Sequence, residues 1–306
     1  MIKIKVVGVG GSGCNAIARM AKCNIKGIEL IAVNTDAQDL AKTKADIKLR
    51  IGRQATQGLG SGMNPDIGRK SALENRNEIL EALRGADLVF ITSGMGGGTG
   101  TGAAPVVAQV AKELGILTLA IVTTPFSFEG PARMKIALNG LRRLKENVDT
   151  LISIANDKLL SSLPADTTLL NAFWMCDDTL RQAVQGIADL ILLPGIINVN
   201  FADIEAVMKN AGSALFGIGN AKGEGRAEKA ALLAISSPLL DASVKGAKGI
   251  LFSVSGGKDI SLSEIDQVAK VITREANPEA KIIFGAVQSE DLKEGEIKVT
   301  VIATGF

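Results

Sequence analysis

Residues 94–105, GMGGGTGTGAAP, decide how the rest of the chain is read. Half of them are glycine, which loses the most backbone freedom on folding and offers no side chain to pack. The segment follows an apolar run, ADLVFITSG (86–94), that reads as a buried strand, and it leads into a helical pattern over 103–114 with Pro105 near its first turn. A turn of this kind presents the free N–H groups at the positive end of a helix, where phosphate oxygens bind, and Thr99 and Thr101 add hydroxyl donors beside Gly96, Gly97, Gly98 and Gly100. A merely flexible surface loop needs neither threonines at alternate positions nor a strand and a helix on its flanks.

A second glycine-rich turn, GVGGSGCNA (8–16), lies between the run IKVVGV (4–9) and a helix. Gly8, Gly10 and Gly13 satisfy G-x-G-x-x-G, and Asp36 stands at the end of the next strand, so this turn alone would suggest a dinucleotide-dependent oxidoreductase. Neither turn contains G-K-[ST], which excludes a Walker loop and leaves the phosphates to backbone amides.

Outward from the two turns, nearly continuous apolar runs at 4–9, 29–34, 86–94, 116–124 and 150–156 are separated by helical patterns such as 71–84, 103–114 and 132–147. Strands of that composition alternating with helices predict an α/β fold, a Rossmann-like parallel sheet covered on both faces, with ligands at the carboxyl ends of its strands. From Leu169 the positions Phe173, Cys176, Leu180, Val184, Ile187 and Ile191 recur at helical steps until Pro194 and Gly195, which predicts a long central helix. Beyond it, helices at 203–211 and 224–235, a strand at 249–257, a helix at 262–276 capped by Ser261 and Glu264, and strands at 281–287 and 297–306 predict a smaller α+β domain. The expected division is 1–167, 168–193 for the connecting helix, and 194–306. Residues 52–68 read as a long glycine-rich loop of the kind that carries function.

Composition narrows the chemistry. With 306 residues there is room for about two domains, and a net charge of +2 argues for neither nucleic acid nor an anionic membrane as a partner. Histidine and tyrosine are absent, which removes Ser-His-Asp and Cys-His catalysis and every His-ligated metal site. Cys14, Cys23 and Cys176 have no metal or disulfide spacing. No signal peptide or membrane-spanning run is present in the sequence, so a cytoplasmic protein is expected.

The signature GGGTGTG (96–102) occurs together with AVNTDAQDL (32–40), GLGSGMNPDIG (58–68), PFSFEGPAR (125–133), NDKLL (156–160), QAVQGIADLI (182–191), INVNFADI (197–204) and VTVIATGF (299–306). Over essentially its whole length the chain thereby resembles the tubulin/FtsZ family of filament-forming GTPases of cell division. The resemblance implies that Gly11, Ser12, Gly13 and Asn15, with Gly97, Gly98, Thr99 and Gly100, hold the α- and β-phosphates of GTP or GDP. It places Asn34, Asp36, Ser61 and Gly62 toward the γ-phosphate and its Mg²⁺, Glu129 and Arg133 at the ribose and neighbouring phosphate, Asn156 and Asp177 on the guanine, and Phe173 stacked on the base. Ser12 and Cys14 replace glycines common in the family, with Cys14 expected as inert filler beside the nucleotide.

The resemblance further implies head-to-tail assembly with copies of itself, hydrolysis being completed by the loop 194–205 of the next copy, at the midcell division site. The family pattern in that loop is Asn-x-Asp-x-x-Asp, whereas this chain has Asn198, Asn200 and Asp203. The middle carboxylate has become an amide, leaving Asp203 as the expected catalytic carboxylate. Other division proteins are expected to engage through a tail that family members carry after the final strand; the sequence ends at Phe306, so no direct membrane contact is expected of these residues.

Overall fold

The computed structural model describes residues 2–23, 27–161, 164, 166–193, 195–237, 244, 246–289 and 292–306. The chain divides into two compact units, Met1–Gln185 and Gly186–Phe306.

The first unit runs β1 (Ile4–Val9), α1 (Gly10–Lys22), β2 (Ile28–Asn34), α2 (Ala37–Lys42), β3 (Ile47–Arg50), α3 (Arg53–Thr56), α4 (Pro65–Glu74), α5 (Arg76–Leu83), β4 (Leu88–Gly94), α6 (Thr99–Glu113), β5 (Leu117–Thr124), α7 (Pro131–Lys145), β6 (Thr150–Ala155) and α8 (Asn156–Ser161). Its strands lie in the order β3-β2-β1-β4-β5-β6, every neighbouring pair parallel. Strand β5 is buried at every position and β4 at all but Gly94, as a sheet with both faces covered requires. The order reverses direction at β1–β4, so the ends of β1, β4, β5 and β6 lie side by side. Helix α9 (Leu169–Leu192) then carries the chain into the second unit. Pro194, expected to stop that helix, lies outside the described residues.

The signature helix starts earlier than its apolar pattern suggests, at Thr99 instead of 103, which puts Pro105 in its second turn. Almost the whole of α6 is buried. A Cβ on Gly102 would meet the Pro65 carbonyl oxygen at 2.0 Å, and one on Gly68 would meet that of Gly98 at 2.3 Å, so these glycines let α4 and α6 touch backbone to backbone. The expected helix 71–84 is two helices, α4 and α5, broken at Asn75.

The second unit contains α10 (Phe201–Met208), β7 (Gly212–Lys222), α11 (Arg226–Ile235), β8 (Gly249–Gly256), α12 (Leu262–Glu275), β9 (Lys281–Gln288) and β10 (Glu296–Thr304). Its strand order is β7-β10-β8-β9, with β10 antiparallel to β7 and β8 and β9 parallel to β8. The Ser261–Glu264 capping box is present: the Ser261 N–H donates to Glu264 Oε2 at 2.9 Å, and the Glu264 N–H to Ser261 Oγ at 3.3 Å. Glu264 also takes Arg226, a guanidinium 7% exposed that bonds Asp259 Oδ2 at 2.7 Å as well, tying α11 to the start of α12.

Candidate nucleotide site

Helices α1 and α6 both begin directly after parallel strands, and their N-termini converge on one cavity of about 410 Å³ in the first unit. Gly10, Gly11 and Ser12 form one wall, and Gly97, Gly98, Thr99 and Gly100 another. The first N–H groups of a helix have no partner within it and sit at the positive end of its dipole, so two such ends form a cradle for anions. No lysine lines it.

The glycines of the two turns divide into roles. Gly10 turns the chain at φ +74°, and a Cβ on Gly13 would lie 2.5 Å from the Thr92 carbonyl oxygen, so Gly13 serves the approach of α1 to the sheet. Gly100 is likewise closed off by Ser93 and Gly94, and Gly98 by Ser61 and Asn64. Only Gly97, among the glycines of the signature, has open space where its side chain would be. Most of the signature therefore packs the cradle together, and Gly97 leaves it accessible.

Hydroxyls join the turn to its neighbours. Thr99 Oγ1 lies 2.6 Å from Thr35 Oγ1 and 2.9 Å from Ser61 Oγ, while Thr101 Oγ1 accepts from the Gly96 N–H at 2.9 Å. Thr101 thus braces the turn from inside and does not line the cavity, and neither does Gly96, whose φ is +98°.

The far wall is suited to a base and a sugar. Asp177 and Phe173 reach it from α9, Asn156 from the start of α8, and Glu129 and Arg133 from the segment after β5. Phe173 is 40% exposed and meets Phe126 edge-on at 5.3 Å, which leaves a ring face for stacking. Asn156 is 5% exposed and its Oδ1 is buried without a hydrogen-bond partner, as is Arg133 Nε. Buried polar groups in a native fold are ordinarily paired, so both atoms are open to the polar groups of a ligand in the cavity. Glu129 accepts from the Phe126 N–H at 2.9 Å and pairs with Arg133 at 2.9 Å. Asp177 pairs with Arg19 of α1 at 3.2 Å, and its burial raises its pKa to about 6 even against the Arg19 charge.

Several residues that the resemblance assigned to the nucleotide lie off the cavity wall. Cys14 is fully buried, its Sγ 3.9 Å from the Gly8 carbonyl and 3.8 Å from that of Val33. Burial, reinforced by the charge of Asp39, pushes its thiol up to about 12, so it is a core atom and no nucleophile. Asn34 is spent on the turn after β2, donating to Asp39 Oδ2 at 2.8 Å and accepting from the Thr35 N–H at 2.9 Å. Asp36 caps α2, its Oδ1 accepting from the N–H groups of Gln38 and Asp39, both at 2.9 Å. Gly62 is outside the cavity wall, whereas Ser61 and Asn15 are on it. Asn198, Asn200 and Asp203 belong to the second unit.

Sequence reasoning overlooked Thr123, Thr124 and Pro125, which line the cavity at the carboxyl end of β5, and Cys176 on α9. The rule that ligands sit at strand ends would have found the first three.

Comparison with known proteins agrees with this geometry. Residues 3–164 match the profile of the tubulin/FtsZ family GTPase domain, and residues 212–306 that of the FtsZ family C-terminal domain. FtsZ from M. jannaschii, solved as an empty dimer, is 48% identical with a TM-score of 0.96, the match covering 100% of this chain and 88% of that one. A mutant of the same protein matches at 48% identity and TM-score 0.96, covering 99% and 91%. CetZ2 from Haloferax volcanii, solved as a GTPγS-bound protofilament, shares the fold at 19% identity and TM-score 0.84, covering 99% and 92%. With a lysine-free cradle at two helix N-termini, the family's signature across it, and matches to both of the family's domains, the chain belongs to the tubulin/FtsZ family of GTPases.

Proposed function

We propose that this chain binds GTP in the α1–α6 cradle, assembles head to tail with copies of itself, and hydrolyses GTP where the loop after α9 of one copy reaches the nucleotide of the next. The observation that carries the reading is the cavity itself: two helix N-termini form one wall, and its lining also holds Asn156, whose Oδ1 is buried and unpartnered, and the Asp177 carboxylate. A carboxylate accepts from guanine N1–H and N2–H₂ and finds no such pair of donors on adenine, which favours GTP over ATP. The phosphates take backbone N–H groups, Arg133 Nε donates to an oxygen nearby, and Phe173 covers the base. Support for self-association comes from the relatives: FtsZ of M. jannaschii was solved as a dimer and CetZ2 as a protofilament.

Magnesium is proposed to arrive on the nucleotide. The described residues gather no group of three acidic, cysteine or histidine side chains, and Mg²⁺ does not need one, since it keeps several waters and is held mainly by phosphate oxygens. Bound there, it would neutralise the developing phosphate charge.

In the activating loop, Asn198 Oδ1 accepts from the Gly195 N–H at 2.7 Å and holds the loop's shape, while Asp203 Oδ2 accepts from the Asn200 N–H at 3.2 Å in the first turn of α10. Asp203 polarises the attacking water. Asn200 hydrogen-bonds that water but cannot accept its proton, and one general-base group is worth roughly 10²–10⁴-fold. The chain is therefore a slow GTPase within its filament, acting in division at midcell. Phosphate release alongside light scattering, with GTP and Mg²⁺, tests this on the chain and on Asn200→Asp. Both should assemble and only Asn200→Asp should turn over briskly; equal rates would overturn the role given to Asn200, and no GTP-dependent scattering would overturn the assembly.

A further inference from the structure

Arg19 stands behind the base-reading end of the cavity and has no part in the family signature. It projects from the last turn of α1, and both of its contacts to Asp177, from Nε at 3.3 Å and from a terminal nitrogen at 3.2 Å, fall on Oδ2. Asp177 Oδ1 has no partner among the described residues, and Asp177 lines the cavity. The guanidinium is itself held in place, its carbon 5.3 Å from the ring centre of Trp174, the chain's one tryptophan. One cation thus grips the rear oxygen of a carboxylate whose front oxygen is free.

We propose that Arg19 is a positioning residue for guanine recognition: seated on Trp174, it keeps the Asp177 carboxylate charged and holds it with one oxygen open to the base. This rests on the nucleotide reading above and adds a residue to it. The surroundings explain why such a clamp is needed. Burial drives Asp177 toward its neutral form and only Arg19 opposes it, leaving its titration at about 6. The other ionisable groups around it give no help: Cys176 beside it is neutral, its thiol pushed up to about 12 by burial, with the charges of Asp177 and Glu129 adding to the effect. Asp178 is taken by Arg181, and from the segment after β5 Glu129 is paired with Arg133. The open oxygen has to accept from the base, and protonation weakens it as an acceptor or turns it into a donor, so base recognition falls on protonation.

The test is GTP affinity by calorimetry on the nucleotide-free chain between pH 5 and 8.5, with Trp174 fluorescence followed over the same range without nucleotide. In the unaltered chain affinity should be flat above about pH 7 and fall by about tenfold per unit below about pH 6. In Arg19→Met the fall should begin a unit or more higher, costing about twofold or more at pH 7 and little at pH 8.5. Arg19→Lys should recover part of that displacement, since it restores the charge without the planar fork. A loss by the same factor at every pH, or no loss, would overturn the proposal by reducing Arg19 to a structural role. The fluorescence should show a transition near pH 6 that disappears in Asp177→Asn; its absence from the unaltered chain would also overturn the proposal. If GTP fails to bind at any pH while that transition is present, the nucleotide reading fails and the Arg19–Asp177 coupling stands.

Discussion

The hydroxyl of Thr99 lies 2.9 Å from that of Ser61, so the first residue of α6 fastens the glycine-rich loop ahead of α4 to the floor of the cradle. Thr35 meets the same oxygen at 2.6 Å from the end of β2. Thr99→Val keeps the shape and leaves two buried hydroxyls short of a partner, which costs about 1–3 kcal/mol. The melting temperature of the nucleotide-free chain should fall accordingly, and GTP should weaken by roughly tenfold as the loop loosens. Melting curves with and without GTP measure both effects.

Gly97 and Gly102 should fail in different ways. A Cβ at Gly97 has open space and enters the cavity, so Gly97→Ala should fold with an unchanged melting temperature and lose GTP affinity. At Gly102 the Cβ would lie 2.0 Å from the Pro65 carbonyl, so Gly102→Ala must push α4 from α6 and should destabilise by about 1–3 kcal/mol. Denaturant titration beside a binding isotherm distinguishes the two.

Asp177 sets a slope on stability. Burial raises its pKa from the ordinary 3.8 to about 6, so between those values the folded chain holds a proton that the unfolded chain has released. Stability is then greatest below pH 3.8 as far as this group is concerned, and is lost as pH rises through 6. Asp177→Asn should remove that slope, and its melting temperature should gain on the unaltered chain as pH is raised from 4 to 7.

The Arg226 cluster acts in the opposite sense. The Arg226 hydrogen bond holds Glu264 below its ordinary 4.5, and the Gly295 N–H, followed by Arg226, lowers Asp259. Their contribution is present above the ordinary carboxylate range and is lost as pH falls through the lowered values. Arg226→Met should therefore lower the melting temperature at pH 7 and approach the unaltered chain below about pH 4, as calorimetric scans would show.

Five of the six strands of the first unit were legible because burial on both faces leaves little but apolar residues in them, whereas β3, IKLR, only half-buried and carrying Lys48 and Arg50, was missed; the Ser261–Glu264 box marked its helix without ambiguity. Strand β7, GSALFGIGNAK, was missed, and its composition explains why. A Cβ on Gly217 would strike the Ala234 carbonyl oxygen at 2.0 Å, and one on Gly219 that of Ala230 at 2.0 Å, so the strand is glycine-rich where α11 lies directly on it. The pattern of a strand is lost when a neighbour occupies the side-chain space. Helix α10 was expected at 203–211 but runs from Phe201, because Asp203 belongs to its first turn, and it ends at Met208, shortly before Asn210 at φ +53°.

The candidate site was legible where a motif coincides with a strand end, as in the turns after β1 and β4. The local hydrogen bonds of Thr101, Asn34 and Asp36 were not, since a polar side chain near a phosphate loop serves the loop's own N–H groups as readily as a ligand. Arg19 gave no signal because its partner lies 158 positions away.

Two of the three cysteines, Cys14 in the core and Cys176 at the cavity wall, are buried with thiols pushed up to about 12, and Cys23, at the end of α1, is exposed. A maleimide dye should therefore couple to the native chain once, at Cys23, without substitution of the other two. Mixed populations carrying donor and acceptor dyes at that position would report copy-to-copy association by energy transfer in real time, and the nucleotide cradle would remain chemically untouched.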